Sequence, residues 1–439
     1  MKKLAIFIAI AIALSLGILI AFNSCGGKDD CKDAVGLSKY KKPSERDSAF
    51  YKESKSMASR FNVYVESSAS MDAYVRSSID SVGKGYTQFR TILYRIIGQV
   101  NTDVNDNDTC ISLNYINSDI KNQPGTPKQF TNNMSPDAFR NSGAGRINTD
   151  VPEIISTVVK NTKPGEVSMF VSDCVFSPAS GADVSKALGM QRTDILNCLK
   201  NKAKTDQNFG VLLYRFMSDF HGIYYNKTNQ EIKVDGKRPY FVWFFGDRAL
   251  LAKVAESISG IVSENKADYL VGIPGYEYTP FSTVGSKHEF HYTKAKTDNN
   301  CKFTGHFLAD LHSLPVSKEY ILDKNNYVCG DDSYSIDKIE EYSDKDPKHK
   351  SYNYKFTFSV KKGKKKSEIA PTLVTISMKP MLSRTPGWVT KYDDPEGEDY
   401  DNGYKSSKLR TFGLKSLVDG ITDFYNPEQY YTTFKIKIN

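Results

Sequence analysis

Hydrophobic and polar positions change rhythm along this chain, and each rhythm predicts a different element. Residues 4–22 are apolar apart from Ser15 and Gly17. Residues 32–60 are rich in Lys, Ser and Asp and read as a tether. The short run Phe61-Asn62-Val63-Tyr64-Val65 then predicts a buried strand. Phe89, Ile92, Leu93, Ile96 and Ile97 recur at helical spacing after it. Further strands are predicted at 110–116, 167–171, 211–216 and 240–245, with helices at 151–160, 191–204 and 248–261. Strands alternating with helices predict a parallel sheet covered on both faces.

Past about Gly275 the helical spacing stops, and short alternating strands follow, as at 354–360 and 371–378 around a Lys-rich hairpin. This predicts an all-β module, best described as a small sandwich. Near the C-terminus Leu414, Leu417, Val418, Ile421 and Phe424 share one helical face, and 433–438 reads as a last strand. The expected organisation is a leader at 1–24, a tether at 25–60, an α/β domain at 61–275 and an all-β module at 276–405. The helix and strand of 406–439 are expected to complete the first domain.

The flanks of the first apolar run decide how it is read. Lys2 and Lys3 precede it and Ser24-Cys25 follow it. This order resembles a bacterial lipoprotein signal of the Bacteroidetes type, which implies that Cys25 becomes the lipidated first residue. An uncleaved N-terminal anchor is the alternative, and both place the bulk of the chain outside the cytoplasm. Gly26-Gly27-Lys28-Asp29-Asp30 resembles the export signal of surface lipoproteins, so the expected location is the outer membrane, on its surface or periplasmic face.

Composition narrows the picture further. At 439 residues the chain exceeds one ordinary core. Hydrophobic residues at 39% and charged residues at 25% exclude global disorder. The net charge of +8 is small for this length and the acids are spread along the chain, so no nucleic-acid partner is expected. Beyond Cys25 stand Cys31, Cys110, Cys174, Cys198, Cys301 and Cys329. Six cysteines allow about 15 pairings, and Cys301 with Cys329 is the pair expected from their shared region. None has zinc-like spacing.

The chemistry gathers after the first predicted strand, in Glu66-Ser67-Ser68-Ala69-Ser70-Met71. An acid and two hydroxyls at alternate positions resemble the D-x-S-x-S signature of von Willebrand factor A domains. Asn148-Thr149-Asp150 before a helix and Ser172-Asp173 after a strand match the family's second and third loops. The resemblance covers roughly residues 61–261. It implies a Rossmann-like parallel-sheet α/β fold and a Mg²⁺ held by Glu66, Ser68, Ser70, Thr149 and Asp173. Neutral hydroxyls would leave such a metal electrophilic enough to accept a partner's carboxylate. The family has aspartate where Glu66 stands, a reach longer by about 1.5 Å. A scaffold whose site no longer binds metal, with Ser68 and Ser70 as turn formers, is therefore the alternative.

Other candidates weigh less. His288, Glu289 and His291 lack zincin spacing and fall on a predicted strand, where the two histidines face opposite sides. Asp219 and His221 read as a turn with a solvated histidine rather than a catalytic pair. Asp393, Asp394, Glu396, Glu398, Asp399 and Asp401 read as a solvated acidic loop without calcium-loop spacing. There is no G-x-S-x-G and no P-loop. The expected function is thus a non-enzymatic envelope lipoprotein binding a protein or extracellular-matrix-like partner, with the membrane reached through its lipid. Two alternatives stay open. One is a metal-dependent phosphoesterase using Asp173, Asp219 and Asp247; the other is glycan binding through Trp388 and the tyrosines of the β module.

Overall fold

The apolar runs become strands, but the direction in which they pair departs from the sequence expectation. A computed structural model describes residues 57–76, 79–80, 83–84, 87–106, 110–146, 150–177, 183–225, 230–278, 280–282, 289–290, 304–343, 351–360, 372–381, 385–395, 410–425 and 429–438. The strands of the main sheet are β1 (Arg60–Glu66), β2 (Ile111–Ile116), β3 (Ile120–Asn122), β4 (Glu166–Ser172), β5 (Phe209–Tyr225), β6 (Glu231–Asp247) and β7 (Asp268–Gly272). Their order is β3-β2-β1-β4-β6-β5-β7.

Only the pairs β2–β1 and β1–β4 are parallel. The pairs β4–β6, β6–β5, β5–β7 and β2–β3 are antiparallel. The expected parallel sheet is therefore corrected to a mixed one. The reason lies between Phe216 and Tyr240. A parallel neighbour needs a crossover, usually a helix, but residues 217–225 and 231–239 continue the two strands instead. β5 and β6 thus form a hairpin of two 17-residue strands, paired from Phe209↔Asp247 to Tyr225↔Glu231. Its outer part projects past β4, whose pairing with β6 ends at Ser172↔Phe241.

The helices include α1 (Asp72–Val75), α2 (Gln88–Asp103), α3 (Val151–Asn161), α4 (Val184–Ala203), α5 (Arg248–Glu264), α6 (Gly387–Tyr392) and α7 (Leu414–Tyr425), with shorter ones at Pro127–Asn133, Pro136–Arg140 and Lys318–Leu322. Side-chain acceptors at Thr87, Asp150, Asp183 and Asp247 cap the starts of α2, α3, α4 and α5, where the first N–H groups lack partners. One apolar cluster holds Phe61, Val63 and Val65 of β1 with α2 and α5. A second, on the opposite face, holds Tyr64, Phe170 and Trp243 with α3, α4 and α7.

The β half contains a five-stranded and a four-stranded sheet. Phe434 of the first meets Phe307 and Phe356 of the second at 5.0 and 5.1 Å between ring centroids. The C-terminal segment divides between the two halves. α7 packs on α4, whereas Thr432–Ile438 pairs with Tyr276–Tyr278 and Thr372–Met378 in the five-stranded sheet. The halves meet where the Tyr431 hydroxyl donates to the Val271 carbonyl at 2.7 Å. There too the Arg248 guanidinium lies 4.3 Å from the centre of the Tyr276 ring. Residues 387–392 lie within the span expected to be all-β, yet they form α6, and Trp388 Nε1 donates to Tyr269 O at 3.3 Å on the main sheet.

Candidate functional site at the carboxyl edge of the sheet

β1 and β4 run side by side, with Val65 opposite Val171, so their following loops leave from one edge. The Ser172 hydroxyl donates to Glu66 Oε2. It also accepts from the Cys174 backbone N–H at 2.7 Å. Cys174 adopts φ +53°, a conformation that L-residues rarely hold without surrounding support. That support comes from Trp243, whose Nε1 donates to Cys174 Sγ at 3.3 Å. The sharp turn sets Asp173 at the edge beside the loop that follows β1.

In that loop Ser68 Oγ and Ser70 Oγ stand 3.1 Å apart. Two adjacent oxygens of an octahedral Mg²⁺ at 2.0–2.1 Å would be separated by about 3 Å. The loop is held from below: Ser67 N–H donates to Ile116 O at 3.0 Å, and Arg146 Nη1 to Ser67 O at 3.2 Å. Arg146 Nη2 also donates to Asp72 Oδ2 at 2.9 Å, tying the loop to α1.

Asp173 is 1% exposed. Its Oδ1 accepts from the Val175 N–H at 3.3 Å, while Oδ2 is buried with no hydrogen-bond partner. Burial pushes its carboxyl above the ordinary range, and the field of Arg238 and the Ser70 hydroxyl pull it back. Ser68 and Ser70, whose hydroxyls are hydrogen-bonded to each other, and Asp173, whose Oδ2 has no hydrogen-bond partner, are the described residues of this edge that could offer oxygens to a small hard cation. Glu66 is turned toward Ser172. Thr149 and Cys25 lie outside the described residues.

The phosphoesterase ligand set does not assemble. Asp247 pairs opposite Phe209, and its neighbour Gly246 opposite Val167, which puts it at the other edge of the sheet from Asp173. Because β6 runs against β4, its carboxyl end is at the amino end of β4. Asp247 caps α5 instead, accepting from Ala249 N at 2.7 Å. Asp219 and His221 lie on strand β5 rather than in a turn. His221 Nδ1 contacts Asp235 Oδ1 across the hairpin at 2.5 Å.

Asp393 and Asp394 are buried rather than solvated, and Asp393 Oδ1 accepts from the Lys415 N–H at 2.8 Å near the start of α7. The acids from Glu396 to Asp401, along with His288, His291 and Cys301, lie outside the described residues. Cys329 is on strand Tyr327–Cys329.

One residue of this edge went unnoticed in the sequence: Arg238, fully buried on β6. The signal was present in the alternation Val234, Gly236, Arg238, Tyr240, which puts an arginine on the inward face of the hairpin.

Among the described residues no three His, Cys, Asp or Glu side chains are grouped to hold a metal, and no helix is long and apolar enough to cross a membrane. No protein-family model, curated protein or solved structure matches this chain.

Proposed function

We propose that this chain is a non-enzymatic binding protein of the bacterial envelope, held to the outer membrane by a lipid on Cys25. In this reading a von Willebrand factor A-like domain uses the carboxyl edge of its sheet, with Mg²⁺ at Ser68, Ser70 and Asp173, to engage a protein or extracellular-matrix-like partner. The two sheets of the β half act as a sandwich that braces it. The observation that carries the reading is the meeting of Ser68, Ser70 and the unpartnered Asp173 Oδ2 where β1 and β4 end. A bound Mg²⁺ would supply an electrophilic position for a partner's carboxylate. The loop's own residues supply its rigidity, through Arg146, Asp72 and the Trp243–Cys174 contact.

A catalytic reading receives less support. Three described histidines are engaged in local pairs: His221 with Asp235, His306 with Thr357 and His312 with Asp310. The glycan reading is also weakened, because Trp388 packs against the α/β core. The test uses the full chain in detergent, melted with and without MgCl₂. A ligand that binds only the folded state raises its melting temperature. The wild type should gain stability with Mg²⁺ and Ser68→Ala should lose that gain. A flat wild-type response across millimolar Mg²⁺ would contradict the metal-dependent reading.

A further inference from the structure

α3 and α4 lie side by side on the face of the main sheet that also carries α7. They run in the same direction. Asp150 and Asp194 belong to one end of the seam between them, and at the other Lys202 Nζ of α4 donates to the carbonyl of Thr162, the C-cap of α3, at 2.5 Å. Ile154, Ile155 and Val158 of α3 and Ile195 and Leu199 of α4 face the core beneath. The side chains left on the seam are short, Ser156 from α3 and Cys198 from α4. Short side chains on two packed helices leave a furrow, and this one encloses about 530 Å³. That is the size of sites that take small ligands.

The furrow carries opposite charges at its two ends. Asp150, Glu153 and Asp194 line one end, Lys160 and Lys202 the other. Helix ends account for part of this, since Asp150 caps α3, Glu153 is in its first turn, and the lysines are in the last turns. They do not account for Asp194, which sits in the middle of α4. Burial, and after it Asp150, push the Asp194 carboxyl above its ordinary range. Asp150, Glu153, Asp194 and Lys160 form no ion pair with a described residue, whereas Lys202 is already engaged by Thr162 and lies 3.9 Å from Asp206. Along α3, Asp150 and Lys160 are separated by about 15 Å at ~1.5 Å per residue. An extended peptide covers that span in about four or five residues. Between the charged ends, Asn197 and Asn201 stand one helical turn apart on the rim, and an amide both donates and accepts.

We propose that the furrow between α3 and α4 binds a short peptide with free termini, its amine at Asp150 and Asp194, its carboxylate at Lys160, and its backbone against the amides of Asn197 and Asn201. The peptide would supply the cation that the acidic end lacks and the anion that Lys160 lacks. This site uses none of Ser68, Ser70 or Asp173 and needs no metal, so it stands independently of the reading given above.

The test is calorimetry on the full chain in detergent with penta-alanine, its N-acetylated form and its C-amidated form. Wild type should bind penta-alanine, and each blocked form about fivefold more weakly, as the loss of one part-exposed charge pair requires. Asp194→Asn should weaken penta-alanine by a similar factor yet leave the N-acetylated form unaffected, because the amine it would face is already gone. Lys160→Met should behave likewise toward the amidated form. Both side chains are exposed, so neither change disturbs the core. The proposal is overturned if wild type does not bind penta-alanine at millimolar concentration, if blocking either terminus leaves affinity unchanged, or if both variants bind as wild type does. None of these outcomes touches the Mg²⁺ reading.

Discussion

Replacing Asp393 with asparagine should remove a pH dependence that the fold builds in. Asp393 is followed by Asp394 and lines, with Arg192 of α4 and Lys415 and Asp419 of α7, a small cleft between the two helices. Burial, and after it the neighbouring Asp394 and Asp419, lift its carboxyl from the usual 3.8 to about 6, against the hydrogen bond from the Lys415 N–H. The folded chain thus binds this proton more tightly than the unfolded chain does. Stability from this group is fully present below about pH 4 and falls as the pH rises to about 6, then stays level. The difference corresponds to about 3 kcal/mol. Asparagine keeps an oxygen for the Lys415 N–H but does not titrate. Urea unfolding of both proteins from pH 4 to 8 should give similar stabilities near pH 4. Asp393→Asn should then become progressively more stable than wild type up to about pH 6. Curves that stay parallel over the whole range would refute the argument.

The remaining expectations concern packing, anchoring and the loop acid. Gly420 of α7 faces α4 so closely that a Cβ would come within 2.6 Å of Arg192 O and 2.8 Å of Ile195 Cβ. Gly420→Ala should therefore destabilise by about 1–2 kcal/mol in denaturant melts, overpacking outweighing the helix propensity gained; an unchanged midpoint would show that the helices part freely. Cys25→Ala should shift the protein from the membrane to the soluble fraction on cell fractionation, and wild-type partitioning in the variant would favour the uncleaved anchor. Glu66→Asp should tighten Mg²⁺ binding in calorimetry, because the shorter carboxylate is released from Ser172 at unchanged charge. An unaltered affinity would mean that Glu66 has no part in the site.

The sequence was most readable where a segment is buried on both faces. The runs at 61–65, 110–116 and 167–171 could hardly be anything but strands, and they occupy β1, β2 and β4. Strand direction was not readable from those runs, because it depends on what lies between them. Residues 217–225 and 231–239 were not read as strand, Asp219 and His221 being taken for a turn, and their pairing turns a supposed crossover into a hairpin. The same oversight misplaced Asp247: following an apolar strand says nothing about which edge a residue reaches. α4 was expected from residue 191 but starts at Val184 behind the Asp183 cap. Its first turns carry few buried side chains, so they left no apolar stripe to detect. Ser68, Ser70 and Asp173 could be grouped in advance because β1 and β4 do run parallel. Arg238 could not, since its place depends on the hairpin folding back over α1.

The central claim is that Ser68, Ser70 and Asp173 form a cation site. Its most direct test is a crystal of the protein soaked in MnCl₂, with the ion located by its anomalous signal. The account predicts a peak bonded to both Ser68 Oγ and Ser70 Oγ at about 2.0–2.3 Å, with Asp173 on the same ion directly or through water. An anomalous map with no peak at that edge, with the two hydroxyls still bonded to each other, would contradict it.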